Sequence, residues 1–114
     1  MENDGHLYIL WVNDNPITAE KMVFMYGING LKRGWWDKVT IIIWGATAVL
    51  SATNAEIQAK IKEALKYGVS MTACKACADQ LEVTPKLEEL GIEVKYWGEP
   101  LTQVLKARSH LLTV

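Results

Sequence analysis

The sequence predicts an α/β domain, a three-layer α/β/α sandwich around a mainly parallel five-stranded sheet. Three observations lead there. Short runs rich in Val, Ile and aromatic residues alternate with amphipathic stretches along the whole chain. Two of those runs are apolar almost throughout, the pattern of strands covered on both faces. Helix-starting and helix-stopping residues punctuate the rest, giving the order β-α-β-α-β-α-α-β-α-β, and strands that alternate with helices imply parallel crossovers.

Leu7-Tyr8-Ile9-Leu10-Trp11-Val12 is the first strand. Asn15 before Pro16 reads as an N-cap followed by Pro at the first helical position, and that helix runs to about Arg33, with Gly34 as its left-handed stop. Gly27 and Gly30 inside it each cost about 1 kcal/mol relative to Ala, a cost that close packing against the sheet or a neighbouring chain would offset. Val39-Thr40-Ile41-Ile42-Ile43-Trp44 is the second strand. Thr53-Asn54-Ala55-Glu56 has capping-box spacing and opens a helix whose apolar stripe is Ile57, Ile61, Ala64 and Leu65, ended by Gly68. Val69-Ser70-Met71-Thr72-Ala73 is the third strand, followed by a short helix from Cys74 or just after it. Thr84-Pro85 caps another helix that Gly91 ends. Ile92-Glu93-Val94-Lys95-Tyr96-Trp97 alternates apolar and charged, so one of its faces reaches water or a partner. Pro100 to Ala107 is the last helix, and His110 to Val114 a short closing strand.

At 114 residues the chain is expected to be one domain, residues 1–114. Twelve Lys+Arg against thirteen Asp+Glu leave a net charge of −1, which argues against binding nucleic acid or an anionic membrane through bulk charge. The apolar runs fall far short of a membrane span, about twenty residues. The opening Met1-Glu2-Asn3-Asp4-Gly5-His6 is acidic, unlike a secretory leader. The expectation is a cytoplasmic protein with reduced thiols. No glycine-rich phosphate loop is present, and neither His6 nor His110 stands at zinc-motif spacing from the two cysteines, so no cofactor and no metal are expected.

In an open parallel α/β sheet, ligands bind beyond the carboxyl ends of the strands. Those ends place Asn13-Asp14-Asn15, Gly45-Ala46-Thr47, Cys74-Lys75-Ala76-Cys77 and Gly98-Glu99 along one edge. A cysteine at a helix N-terminus sits among unpaired N–H groups that favour thiolate, and Lys75 adds positive charge, so Cys74 is the candidate nucleophile. Cys77, one turn on, is its candidate assistant or a packing residue. Asn13, Trp44, Gly45, Lys75 and Trp97 are candidate substrate-binding residues. Asn13 also fits an ordinary Asn-capped turn, and the tryptophans also fit core or interface packing. Trp35-Trp36, hard to bury together in a small monomer, points to an oligomer interface.

Beside the plain reading of two small buried hydrophobes, three chemistries are open to such a pair: a structural zinc site, for which the ligands are lacking, a thioredoxin-like dithiol, and a persulfide carrier. Residues 69–79, then Leu87-Glu88-Glu89-Leu90-Gly91-Ile92-Glu93-Val94 and Gly98-Glu99-Pro100-Leu101-Thr102, with Trp44-Gly45 upstream, resemble the DsrE-like sulfur-relay family. The resemblance covers nearly the whole chain. It implies a doubly wound α/β fold, assembly as homo- or hetero-oligomers (often trimers or hexamers), and sulfur acceptance at the position of Cys74. Cys77 lies outside the relay members' pattern. The implied function is a persulfide carrier, a possible sulfurtransferase, with sulfur-donor and sulfur-acceptor proteins and further copies of itself as partners. A non-catalytic oligomeric module that binds a small ligand in the same fold is the alternative, and a dithiol redox enzyme is the third.

Overall fold

The structure, a computed structural model, describes residues 5–114; the acidic opening Met1-Glu2-Asn3-Asp4 lies outside them. The chain runs β1 (His6–Trp11), α1 (Pro16–Thr18), a π-helical segment (Ala19–Phe24), α2 (Met25–Lys32), β2 (Lys38–Ile43), α3 (Ala46–Thr53), α4 (Ala55–Lys66), β3 (Ser70–Cys74), α5 (Lys75–Gln80), α6 (Thr84–Glu89), β4 (Glu93–Lys95), α7 (Gly98–Lys106) and β5 (His110–Thr113). The five strands form one sheet in the order β4-β3-β2-β1-β5, and every pairing is parallel. The expected α/β/α sandwich is borne out.

The order fixes where the helices lie. From β1 to β4 the chain steps across the sheet in one direction, and right-handed crossovers put the intervening helices on one face. The return from β4 to β5 runs the other way, so α7 crosses the opposite face. The packing follows this division. Ile9, Trp11, Val39, Ile41, Ile43, Met71 and Ala73 meet Val23, Phe24, Ile28, Ile57, Ile61, Ala64 and Leu87 in the large core. The alternate residues face the other way: Ile42 and Cys74 pack with Trp97 of the β4–α7 connection, with Tyr8, Leu10, Trp44, Cys77 and Leu101 of α7 around them.

The first helix begins as expected. The Asn15 side chain accepts from Ile17 N–H (2.9 Å) and Thr18 N–H (3.1 Å), and Pro16 takes the first position. Its middle widens to a π-helix, which no spacing in the sequence announces. Gly27 lies against the sheet: a Cβ there would meet Ile41, Val39 and Ile9 at 3.5–3.7 Å.

Two expectations are corrected between β2 and β3. Gly45-Ala46-Thr47 is not a loop but the start of α3. Thr53 accordingly ends α3, donating its hydroxyl to Val49 C=O at 2.7 Å, and the cap of α4 is Asn54, whose side chain accepts from Ile57 N–H at 3.0 Å. The fourth strand is also shorter than its alternating pattern, three residues at an exposed edge. The last helix starts at Gly98 rather than Pro100.

Candidate thiol site at the carboxyl edge of the sheet

Cys74 is the last residue of β3 and the N-cap of α5, with extended backbone (φ −66°, ψ 116°). Strand alternation sends its side chain to the α7 side of the sheet, together with Ile42 and Thr72 of neighbouring positions. It is buried, 5% exposed, and not disulfide-bonded. Cys77 follows one helical turn later and is half-buried. Residues three apart on a helix share a face, so the two side chains converge.

Both pack into one cluster. Burial pushes the Cys77 thiol above the ordinary thiol range, the Cys74 thiol beside it pushes it further, and the backbone N–H groups of Gly45 and of Cys77 itself act in the opposite direction. Cys77 thus lies between its partner thiol and the backbone at the start of α3. Gly45 has φ +69° and ψ −127°, a conformation that favours glycine, and there is open space where a Cβ would stand. The same glycine lines an open cavity of about 610 Å³, whose other walls include Ala46, Val49, Leu50 and Leu81.

Trp97 closes the other side of the cluster. It is buried, and its indole Nε1 donates to Thr72 Oγ1 at 2.7 Å, while that hydroxyl donates to Glu93 C=O at 2.9 Å. Trp44 and Leu101 pack partly buried against the same group. The thiols therefore sit among Ile42, Trp44, Trp97 and Leu101, an apolar wall interrupted by the Gly45 amide.

Of the residues singled out in the sequence, the structure gathers Cys74, Cys77, Trp44, Gly45 and Trp97. Lys75 is directed elsewhere. Its ammonium pairs with Asp79 at 3.0 Å, one turn along the exposed side of α5, and lies 5.8 Å from the centre of the Tyr96 ring. The positive charge expected beside the nucleophile is engaged on the helix surface. Asn13 takes the turn role: its side chain accepts from Asn15 N–H at 2.9 Å, and its carbonyl accepts from Trp11 Nε1 at 2.9 Å.

Thr47 was not anticipated. Its buried hydroxyl donates to Trp11 C=O at 2.7 Å and accepts from Trp44 N–H at 3.1 Å, tying the ends of β1 and β2 to α3. That tie positions the Gly45 amide. A threonine three residues beyond a strand end was the available signal.

Among known structures, the chain is similar to that of BT1422, a conserved protein of unknown function from Bacteroides thetaiotaomicron. The TM-score is 0.97 and the sequence identity 38%, over 100% of this chain and 98% of the other. No family model and no curated protein matches the sequence.

Proposed function

We propose, for a chain that belongs to the same family as BT1422 of Bacteroides thetaiotaomicron, a sulfur-relay function of the DsrE-like type. Cys74 is the carrier. Its thiolate attacks the outer sulfur of a donor persulfide, the new S–S bond forms on Cys74, and the donor's thiolate leaves and takes up a proton. The reverse chemistry on an acceptor thiolate passes the sulfur on.

One observation carries this reading: two free thiols packed into one cluster at the carboxyl edge of a parallel sheet, walled by Ile42, Trp44 and Trp97. Ligands of open parallel sheets gather at that edge. An apolar wall suits a persulfide because it keeps stray thiols and water from the outer sulfur. Among the described residues no three His, Cys, Asp or Glu side chains gather in a way that could hold a metal.

The partners of this reading are sulfur-donor and sulfur-acceptor proteins in the cytoplasm, and further copies of the same chain. Self-association draws support from the α7 face, where Tyr8, Leu10 and Leu111 remain only half-buried. Parallel sheets are ordinarily covered on both faces. Trp35, 57% exposed, adds a second apolar surface, whereas its neighbour Trp36 packs at home, donating to the Tyr26 hydroxyl at 3.1 Å. No helix among the described residues is long and apolar enough to cross a membrane.

The burial of Cys74 favours a second reading, in which the thiols are packing and the cavity beside Gly45 holds a small ligand in a non-catalytic oligomeric module. Mass spectrometry separates the two. After exposure to a low-molecular-weight persulfide, the carrier reading expects a one-sulfur gain on Cys74 that Cys74→Ser abolishes. A Cys74 that gains no sulfur and resists iodoacetamide in the folded protein establishes the second reading instead.

A further inference from the structure

We infer that Cys77 is the resolving thiol of the site: it discharges a persulfide on Cys74 as hydrogen sulfide and leaves a Cys74–Cys77 disulfide. The inference rests on the carrier reading of Cys74 and adds a fate for the sulfur when no acceptor takes it.

The placement of the two sulfurs supports it. Cys74 caps α5 and Cys77 lies one turn inside it, so their Cα atoms are about 5 Å apart, within the window of about 4.4–6.8 Å that a disulfide tolerates. Both side chains already pack into one apolar cluster with Ile42 and Trp97. The bond therefore requires side-chain rotation and no rearrangement of the sheet. Cys77 is also the more exposed of the two, so a reductant reaches the disulfide from its side.

The chemistry balances without any further reactant. The Cys77 thiolate attacks Sγ of Cys74; the Sγ–Sγ bond forms and the bond from Cys74 Sγ to the outer sulfur breaks. The outer sulfur leaves as hydrosulfide, carrying the electron pair, and takes a proton from water as pH requires. Two thiol sulfurs are oxidised to a disulfide while the sulfane sulfur is reduced to sulfide. Returning the pair to the thiol state consumes one dithiol, or two monothiols, by ordinary exchange.

The environment sets the timing. Burial and the Cys74 contact hold Cys77 protonated at neutral pH, so the attacking thiolate is scarce and a loaded Cys74 persists long enough to meet an acceptor. The Gly45 amide, which faces the same sulfur, and the N–H of Cys77 itself favour the thiolate when it forms.

The experiment loads reduced wild-type protein, Cys77→Ser and Cys74→Ser with inorganic polysulfide, removes the excess, and follows intact mass and free sulfide with time. In Cys77→Ser the one-sulfur adduct on Cys74 should persist with no sulfide released. In the wild type the adduct should decay to a species two hydrogens lighter than the reduced protein, with stoichiometric sulfide. The decay should accelerate about tenfold per pH unit below the Cys77 titration, a dependence that a packing role for Cys77 would not create. A wild-type adduct as long-lived as that of Cys77→Ser overturns the inference and leaves the carrier reading standing. Absence of any adduct on Cys77→Ser overturns both. Oxidised dithiothreitol supplies an independent check on the geometry: failure to close the Cys74–Cys77 disulfide in the folded wild type also overturns the inference.

Discussion

The two faces of the sheet are built from the same strands and do different work. On one face, Ile9, Ile41, Ile43 and their partners from the π-segment, α2, α4 and α6 are fully buried. On the other, α7 alone crosses the sheet, and Tyr8, Leu10, Trp44 and Leu101 remain half-buried around Ile42, Cys74 and Trp97. Strand alternation means that neighbouring residues of one strand serve opposite purposes: Ala73 is core and Cys74 is site. The thickly covered face holds the fold, which leaves the thinly covered face free to carry reactive groups and to meet partners.

The largest test of that division is a pair of truncations at neighbouring strands. Ile41→Ala opens a cavity in the covered face and should cost about 2–5 kcal/mol in denaturant unfolding. Leu10→Ala, on the half-buried face, removes less buried area and should cost well under half as much. Equal losses would break the distinction between the faces. If further copies cover the α7 face, the Leu10→Ala penalty will instead grow with protein concentration in the wild-type range of assembly, because association adds to apparent stability by mass action.

Much of this asymmetry is legible in the sequence. The unbroken runs from Leu7 and Val39 mark strands covered on both faces, and the alternating Glu93-Val94-Lys95 marks one with a face open to water or a partner, which the structure has at the sheet's edge. The thiol pair was legible too, since a cysteine ending a strand and another three residues on must share a helix face. What escaped has physical causes. The start of α3 carries no capping side chain: Gly45 takes a positive φ, and the Thr47 hydroxyl bonds back to Trp11 and Trp44 rather than to its own helix end. The capping-box spacing at Thr53 marks the start of α4 to within one residue, at Asn54, and gives no sign of the separate helix α3 before it. The π-segment has no periodic signature short enough to see in six residues. Lys75 was misjudged because adjacency in sequence suggested adjacency to the sulfur, whereas on a helix the next residue points about 100° away, here towards Asp79. Strand order depends on which face each crossover takes, and no local pattern encodes that.

A middle-sized effect should appear at the junction of the two faces. Gly45→Ala places a Cβ in open space, so no neighbour resists it; the cost lies in holding a non-glycine residue at φ +69°, ψ −127°. Backbone strain of this kind is worth about 1–3 kcal/mol. If the chain relieves the strain by rotating the Trp44–Gly45 peptide, the Gly45 amide leaves the Cys77 thiol, and one of the two backbone N–H groups that lower its titration is lost. Cys77 alkylation should then move to higher pH in Gly45→Ala. A destabilised variant with an unchanged alkylation profile would mean that the strain is borne in place and the amide stays where it is.

The smallest effect belongs to His6, which stands on the half-buried face at the opposite end of the strands from the thiols. Its ring stacks on Tyr8 with 3.9 Å between centroids, and Nε2 lies 2.8 Å from Thr40 Oγ1. Burial lowers its pKa, and the nearby Lys38 ammonium lowers it further. The folded state therefore binds this proton less readily than the unfolded chain does. Above the unfolded value of about 6.5, both states hold neutral histidine and the group takes nothing from stability. As pH falls through that value towards the lower folded one, the unfolded chain gains the proton first and stability declines. The urea midpoint should accordingly drop between about pH 7.5 and about pH 5.5, before most carboxylates titrate. Lys38→Met should flatten the decline only in part, because burial is the larger cause and remains. A decline that survives unchanged in His6→Phe, which keeps the stack on Tyr8 and cannot titrate, would assign the pH dependence to other groups and leave the polar end of this face without a part in stability.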